Sequence, residues 1–156
     1  MIELTIPGYR KLQIKHLVLD LNGTIACDGK LIAGVRECLE TLADKIQIHI
    51  LTADTFGKAE SQLENAPCIL HILPKENQDI GKLNYVKKLD SQYTACIGNG
   101  RNDRLMLKEA LLGIAVILNE GAAAETVMSA DVVFTDIVAA LEMLTNPLRL
   151  TATLRS

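Results

Sequence analysis

The stretch HLVLDLNGT, residues 16–24, decides the fold of this 156-residue chain. The run from His16 to Leu21 is typical of a strand that is buried on both faces of a parallel sheet, and Asn22-Gly23 ends it. An Asp after such a run often only forms a turn or a cap, but no helix follows at once here. Because ligands of open α/β sheets bind at the carboxyl ends of strands, Asp20 is a candidate site residue.

Downstream of this stretch, apolar strand patterns alternate with amphipathic helix patterns. The predicted strands cover residues 46–51, 68–73, 94–97, 114–118 and 132–134. The predicted helices cover residues 34–43, 55–64, 78–89, 101–112, 122–128 and 137–144. This alternation indicates βαβ units and predicts a three-layer α/β/α, Rossmann-like fold with a mainly parallel central sheet.

Two short hairpins are predicted outside this alternating pattern. Residues 2–6 and 11–15 alternate in polarity around a Pro7-Gly8 turn. Residues 24–31 read as a flap hairpin that turns at Asp28-Gly29. The flap is too short to form a large cap over a site.

The tail after residue 145 carries three leucines among polar residues, and its Asn146-Pro147 start predicts a short helix. We expect the tail to pack either on its own domain or on a neighbouring subunit. A homo-oligomer formed through the flap and the tail is therefore one of the expected assemblies. We expect one domain over residues 1–156, with an N-terminal hairpin (1–15), a core (16–145) and this tail (146–156).

Composition narrows the classes of function. The net charge is −3 and aromatic residues make up 3% of the chain, which disfavours a nucleic-acid partner that needs basic side chains and stacking rings. No segment has the length and polarity of a membrane span or a signal peptide. The four cysteines have no zinc-site spacing. A reduced, cytoplasmic location fits this pattern best.

Three further polar features lie at or near predicted strand ends. Thr52-Ala53-Asp54 ends one strand, where Asp54 or Thr55 also suits a helix cap. Lys82 lies on a predicted helix, where a lone lysine is usually a surface residue. Gly98-Asn99-Gly100 joins a strand to a helix, and glycine-rich turns of this kind bind phosphate through backbone N–H groups. Asp103 occupies the third glycine position of a dinucleotide-binding motif, which disfavours a dinucleotide site.

In this order, the features resemble the four motifs of the haloacid dehalogenase superfamily, and most closely the phosphorylation domain of P-type ATPases and its small soluble relatives. The matching segments are DLNGT at residues 20–24, LTAD at 51–54, GNGRND at 98–103 and SADVVF at 129–134. The corresponding family segments are Asp-Lys-Thr-Gly-Thr, Leu-Thr-Gly-Asp, Gly-Asp-Gly-x-Asn-Asp and Ala-Asp-Ile-Val-Leu. The resemblance covers residues 16–145 and implies the same three-layer fold.

The resemblance implies a hydrolase that works through an aspartyl-phosphate. Asp20 would be the nucleophile, and a carboxylate with a reference pKa of about 4 needs no deprotonation at neutral pH. Thr52 and Ala53 would bind the phosphoryl oxygens. Lys82 would neutralise charge on the nucleophile and the transferring group. Asn102 would orient Asp103 or donate to the phosphate.

The same resemblance implies Mg²⁺ as the cofactor. It places the ion on the side chains of Asp20 and Asp103 and on the backbone carbonyl of Asn22, with Asn99 as a further candidate ligand. Oxygen donors of this kind are the ligands that Mg²⁺ prefers.

Two residues depart from the family pattern. Asn22 stands where the phosphatases carry a second Asp that acts as general acid and base, a contribution worth about 10²–10⁴-fold in rate. Asn99 stands where the family carries a metal-binding Asp, and one negative charge less weakens Mg²⁺ affinity. The first departure predicts slow turnover, and the second predicts a weakly held metal.

The sequence therefore predicts a slow Mg²⁺-dependent phosphatase or phosphotransferase that acts on a small phosphorylated substrate and favours acyl or aryl phosphates. The alternative is a catalytically impaired domain that binds a phosphoryl group or Mg²⁺ as a regulatory or interaction module. A receiver-like phosphoacceptor domain is disfavoured, because its lysine follows the last strand, whereas Lys82 precedes the Gly98-Asn99-Gly100 turn.

Overall fold

The computed structural model describes residues 1–54 and 57–156. Its strands, in chain order, are β1 (Ile2–Thr5), β2 (Lys11–Ile14), β3 (His16–Asp20), β4 (Ala26–Cys27), β5 (Lys30–Leu31), β6 (Gln47–Thr52), β7 (Ile69–Ile72), β8 (Thr94–Gly98), β9 (Leu112–Val116) and β10 (Val132–Phe134). Its α-helices are α1 (Val35–Ala43), α2 (Ala59–Gln62), α3 (Gln78–Lys88), α4 (Arg104–Glu109), α5 (Ala124–Ser129), α6 (Ile137–Thr145) and α7 (Pro147–Leu154).

Six of the strands form one parallel sheet in the order β10-β9-β8-β3-β6-β7. β3 lies at the centre, and its Leu17, Val18 and Leu19 are fully buried, as expected for a strand covered on both faces. The strand order changes direction at β3, because β6 pairs on one side of it and β8 on the other. The carboxyl ends of these three strands therefore meet at the switch point where ligands of open α/β sheets bind.

Helices cover both faces of the sheet and form the predicted three layers. One face, which includes Leu17 and Leu19, packs against α1 and α6. The opposite face, which includes Val18 and Cys96, packs against α3 and α4. The fold class predicted from the alternating pattern is confirmed.

The two predicted hairpins are both present as antiparallel pairs. β1 pairs with β2, and β4 pairs with β5 around Asp28 and Gly29. Both turn residues have positive φ angles, 49° and 73°, which Asp and Gly tolerate better than most residues. The second hairpin is only two residues deep on each side, so it is a flap and not a large cap.

The tail forms the predicted helix, α7, which contacts α6 and β1 of its own chain. Leu150 is buried there, whereas Leu148 is 80% exposed. The homo-oligomer stays a prediction. Within residues 1–54 and 57–156, no helix has the length and apolar character needed to cross a bilayer.

Two predicted helices differ from the structure. The helix predicted over 101–112 is wrong at both ends: Arg101–Asp103 form a 3₁₀ turn, and the chain is already in β9 at Leu112. α4 has to end early because β9 passes close beneath it, and a Cβ on Gly113 would lie 2.4 Å from the Leu107 carbonyl oxygen. The helix predicted over 55–64 is described only as α2, and residues 55 and 56, including the proposed cap Thr55, lie outside the described residues. Asp54 Oδ1 accepts the N–H groups of Lys58 and Ala59 at the start of α2 at 2.9 and 3.0 Å, but the N-cap residue itself is Lys58.

A buried histidine is part of the core away from the strand carboxyl ends. His49 in β6 is 2% exposed, and its two ring nitrogens lie 3.2 Å from His16 Nδ1 and 3.0 Å from the Tyr85 hydroxyl. Burial, together with the nearby His16, lowers the pKa of His49 from 6.5 to about 4. The folded protein therefore keeps His49 neutral at a pH where the unfolded chain protonates it.

We expect this histidine to make the protein less stable as the pH falls. Between pH 7 and pH 5 the unfolded chain takes up a proton that folded His49 does not, so the free energy of unfolding of wild type should fall by on the order of 1 to 2 kcal/mol more than that of His49→Gln. Urea unfolding curves at the two pH values measure the drop for wild type and for His49→Gln. An equal drop in both proteins would show that His49 is not the cause.

Candidate active site

A fully buried lysine joins two carboxylates at the carboxyl end of the sheet. Lys82 Nζ donates to Asp20 Oδ1 and to Asp103 Oδ1, each at 2.6 Å. Lys82 is 0% exposed, and one helical turn later Val86 is buried on the same face of α3. The packing of that face therefore directs Lys82 into the site, and its alternative role as a surface lysine is wrong.

Asp103 is held in place by the glycine-rich turn that precedes it. Its Oδ2 accepts the backbone N–H groups of Asn99 at 3.0 Å and Gly100 at 2.9 Å. A Cβ on Gly98 would lie 2.5 Å from the Asp103 carboxyl carbon. The glycine at the end of β8 therefore makes room for the carboxylate, and the turn binds a carboxylate of its own chain with N–H groups of the kind that bind phosphate elsewhere.

The loop after β3 connects Asp20 to the same turn. Thr24 Oγ1 lies 3.2 Å from Asp20 Oδ2 and 3.2 Å from Asn99 Oδ1. Asn99 Nδ2 donates to the Gly121 carbonyl at 2.9 Å, which fixes the carboxamide. Gly23 has a φ of 81°, and a Cβ there would lie 2.3 Å from Asn99 Nδ2. A glycine at position 23 is thus required by both backbone geometry and space.

The buried cluster carries one net negative charge, from two carboxylates and one ammonium group. Burial raises the pKa of Asp20 to about 6, with a further contribution from Asp103 that Lys82 and Thr24 only partly offset. Burial alone would lower the pKa of Lys82, but the two carboxylates raise it overall. Lys82 therefore stays protonated, and the excess negative charge remains on the carboxylates.

A cavity of about 190 Å³ opens in front of this cluster. Its lining contains six of the eight residues predicted for the site, namely Asp20, Asn22, Thr52, Ala53, Asn99 and Asn102. The other two, Lys82 and Asp103, lie behind it and contact Asp20 or each other. All eight predicted residues are thus brought to one place by the topology of the sheet.

The side chain of Asn22 is unusual in this cavity. Within the described residues, its Oδ1 is a buried side-chain oxygen without a hydrogen-bond partner. A buried acceptor left unpaired costs roughly 1–3 kcal/mol. An unpaired oxygen in a polar cavity is suited to accept a hydrogen bond from a bound ligand.

Thr52 is oriented by the backbone that follows it. Its Oγ1 accepts the N–H of Asp54 at 2.9 Å, and the residue is 2% exposed. Among residues 1–54 and 57–156 the hydroxyl proton has no acceptor, so Thr52 can donate a hydrogen bond into the cavity.

Three residues near the cavity had no predicted role. Gln78 Oε1 accepts from Asn102 Nδ2 at 2.7 Å, so Asn102 bonds to Gln78. Gln78 lies four residues before Lys82 on α3, and this spacing is a signal that places both on one helix face. Thr24 belongs to the first motif, but the sequence predicts no contact for it with Asp20 or Asn99. Glu120 lies in the loop after β9, where the sequence has no periodic pattern that would predict a place in the site.

The residues present fit a divalent cation. Asp20 and Asp103 are buried carboxylates with uncompensated negative charge, and hard oxygen donors with such a charge are what Mg²⁺ binds. Burial is the main cause of the raised pKa of Asp20 and the Asp103 carboxylate adds to it, and a bound cation would lower that pKa again.

Two curated proteins resemble this chain in sequence, and no protein-family model matches it. Uncharacterized protein MJ0073 of Methanocaldococcus jannaschii is 45% identical over 83 residues, which covers 51% of this chain and 89% of that protein. Uncharacterized protein MJ0072 of the same organism is 56% identical over 39 residues, covering 25% of this chain and 89% of that protein.

Solved structures that resemble the chain share its three-layer fold. The 3-deoxy-D-manno-octulosonate 8-phosphate phosphatase of Moraxella catarrhalis, solved with magnesium, phosphate and KDO, has a TM-score of 0.70 and 17% identity, covering 91% of this chain and 94% of that one. A putative subfamily III A hydrolase of the HAD superfamily from Legionella pneumophila has a TM-score of 0.72 and 17% identity, covering 90% and 87%. The cobalt-bound deoxy-D-mannose-octulosonate 8-phosphate phosphatase of Haemophilus influenzae has a TM-score of 0.71 and 13% identity, covering 92% and 94%.

Proposed function

We propose that this chain, which belongs to the same family as uncharacterized proteins MJ0073 and MJ0072 of Methanocaldococcus jannaschii and has the haloacid dehalogenase fold, is a Mg²⁺-dependent phosphatase or phosphotransferase. The observation that carries the proposal is the buried Asp20–Lys82–Asp103 cluster in front of a cavity of about 190 Å³. The phosphatase structures with this fold support the same class of reaction.

In the first half of the proposed reaction, a carboxylate oxygen of Asp20 attacks the phosphorus of the substrate. The bond from phosphorus to the leaving oxygen breaks, and an aspartyl-phosphate forms on Asp20. Lys82, held 2.6 Å from Asp20, offsets the negative charge that gathers on the carboxylate and the phosphoryl group. Thr52 would donate a hydrogen bond from its hydroxyl group to a phosphoryl oxygen, and the neighbouring Ala53 lines the same cavity.

In the second half, water attacks the phosphorus and the bond to Asp20 breaks. The products are inorganic phosphate and the free carboxylate, and the proton of the water goes to solvent. Asn22 lies in the cavity where it can orient the water or the leaving group, but its carboxamide does not exchange a proton at neutral pH. We therefore propose that the aspartyl-phosphate forms faster than it is hydrolysed.

The metal would bind the side chains of Asp20 and Asp103 and the backbone carbonyl of Asn22. When bound, Mg²⁺ supplies the positive charge that lets a carboxylate approach a phosphate. Asn99 offers one oxygen, Oδ1, which also accepts from Thr24. Asn102 uses one amide hydrogen for its bond to Gln78, and the other would be donated to the phosphate.

Incubation with acetyl phosphate and Mg²⁺, followed by intact-mass measurement, tests the proposal. We expect the protein to gain the mass of one phosphoryl group, and to lose it again slowly after the donor is removed. The gain should disappear when EDTA is added. If the protein gains no phosphoryl mass and also leaves a chromogenic aryl phosphate intact, the proposed reaction is wrong.

The alternative function is a module that binds a phosphoryl group or Mg²⁺ without turnover. The observation that favours it is the presence of Asn22 and Asn99 at positions where the family pattern has Asp. The two functions predict different results for Asn22→Asp. The phosphatase should gain turnover, and the binding module should not.

A further inference from the structure

A groove of about 350 Å³ adjoins the cavity on the side of the flap. It runs between the β4–β5 hairpin, the loop after β9 and the loop after β10. Gly23 and Glu120 connect the two spaces, since Gly23 follows Asn22 in the chain and Glu120 lines both. A substrate whose phosphoryl group faces Asp20 would extend its remaining atoms into this groove.

The groove has apolar walls and an acidic rim. Ala26 and Ile137 are buried in the walls, and Ile117 is 41% exposed there. Glu120 and Asp136 supply the two carboxylates. Within the described residues, the lining of the groove contains no Lys or Arg.

Both carboxylates are held in position by backbone N–H groups. Glu120 Oε1 accepts the N–H of Asp28 at the tip of the flap at 3.1 Å. Asp136 caps α6, and its Oδ1 accepts the N–H of Ala139 at 2.6 Å. The Asp28 carboxylate adds a third negative charge, with an oxygen within 4.8 Å of the Glu120 carboxylate. Each of the two lining carboxylates is therefore restrained by one backbone N–H group, and both side chains are exposed.

The opposite side of the cavity has a different charge. A shallow depression there is lined by Lys75, Arg101, Arg104 and Asp79, and it shares Gln78 and Asn102 with the cavity. Arg104 pairs with Asp79, and Arg101 and Arg104 both pair with Glu125, so carboxylates offset much of the positive charge on this side. The three cationic side chains still make this side less negative than the flap side, which favours a substrate with its phosphate away from the flap.

We propose that the groove holds the non-phosphate part of the substrate and selects neutral or cationic, partly apolar alcohols or phenols against anionic ones. The inference rests on the proposed phosphatase function and adds the substrate class. A carboxylate on the substrate would be placed near Glu120 and Asp136. Like charges a few ångströms apart in a partly solvated site cost enough to lower kcat/KM by about tenfold.

Three aryl phosphates with nearly equal leaving-group acidity test this selection. They are 4-(hydroxymethyl)phenyl, 4-(aminomethyl)phenyl and 4-(carboxymethyl)phenyl phosphate, in which the methylene group insulates the phenol from the charge. We expect kcat/KM for the carboxymethyl compound to be about tenfold below that for the hydroxymethyl compound. The aminomethyl compound should match or exceed the hydroxymethyl compound.

The double variant Glu120→Gln with Asp136→Asn identifies the cause. Both replacements keep an oxygen acceptor for the backbone N–H groups of Asp28 and Ala139, so the flap and the α6 cap should persist. The discrimination between the hydroxymethyl and carboxymethyl compounds should fall to within about twofold. Glu40→Gln, an exposed charge change on α1, is the matched control and should keep the tenfold discrimination.

The outcomes separate this inference from the proposed function. Hydrolysis of all three compounds at similar kcat/KM, or unchanged discrimination in the double variant, would overturn the inference while the phosphatase activity stands. Hydrolysis of none of them would overturn both. Discrimination against the anion that Glu120 and Asp136 cause, with Glu40→Gln unchanged, supports the proposed substrate class.

Discussion

Replacing Asp20 with Asn is expected to lower the turnover of an aryl phosphate by about 10⁴-fold or more. The amide is nearly the same size as the carboxylate but cannot form a bond to phosphorus, so the covalent step is lost. The phosphoryl mass gained from acetyl phosphate should disappear in the same variant. Measurement of both quantities tests Asp20 as the nucleophile.

Loss of folding should not complicate this result. Because the pKa of Asp20 is raised to about 6 in the folded protein, the folded state binds a proton more tightly than the unfolded chain does. Stability therefore falls as the pH rises from about 4 to about 6 and stays lower above that range, by on the order of 3 kcal/mol. The Asn variant has no such penalty, so its melting temperature at pH 7.5 should equal or exceed that of wild type.

Asp44→Asn serves as the matched control for this variant. It makes the same chemical change at an exposed residue that follows α1. We expect its turnover and its phosphoryl mass gain to match those of wild type. A phosphoryl mass gain in the Asp20 variant, or more than a tenth of wild-type turnover, would place the nucleophile elsewhere.

The higher stability expected of the Asp20 variant has a physical cause in the site. Two carboxylates and one ammonium group lie together in a buried cluster, where an unbalanced charge is costly. A site with that imbalance is poised to bind a cation, and the cost of the imbalance is expected to fall when one binds. Functional sites commonly keep charges together that lower the free energy of unfolding, because the function needs them.

The strand-end part of the site could be predicted from sequence because it depends on local order along the chain. A buried strand followed by Asp20, and a second strand followed by Thr52, reach the same edge of any parallel sheet. The place of Lys82 in the site follows from the family resemblance and not from the helix pattern, since a lone helical lysine is usually a surface residue. Only the packing of α3 against the sheet shows that Lys82 is buried.

Other parts of the site depend on contacts between distant segments. Glu120 reaches the cavity because the loop after β9 folds toward the flap, where Asp28 donates to it across 92 residues of sequence. Helix α4 ends early because Gly113 in β9 passes close to Leu107. Periodicity and propensity describe neither contact, so sequence reasoning missed Glu120 and extended the helix too far.

The Asn22→Asp variant is expected to hydrolyse alkyl phosphates about 10²–10⁴-fold faster than wild type. Asn22 lines the cavity with Asp20, and its Oδ1 is buried without a partner. A carboxyl group in this position can donate a proton to the leaving oxygen and later accept one from the attacking water. The neighbouring buried carboxylates should raise the pKa of the new group, which favours the protonated form needed for the first step.

The gain should depend on the leaving group. An alkoxide needs a proton as it departs, whereas a nitrophenolate does not, so kcat should rise more for an alkyl phosphate than for 4-nitrophenyl phosphate. The phosphoryl mass on Asp20 should also become harder to detect, because its hydrolysis speeds up. Steady-state kinetics with both substrates and intact-mass measurement after acetyl phosphate treatment record these changes.

Asn22→Thr is the control, because it also changes the side chain but provides no group that titrates near neutral pH. We expect its turnover to stay within a few fold of wild type, which would assign the gain in the Asp variant to proton transfer and not to altered packing. If the Asp variant folds and binds Mg²⁺ but gains no turnover, the missing acid does not limit this site. That result would favour the binding module, in which the cluster around Asp20 holds a phosphoryl group or a cation without completing the reaction.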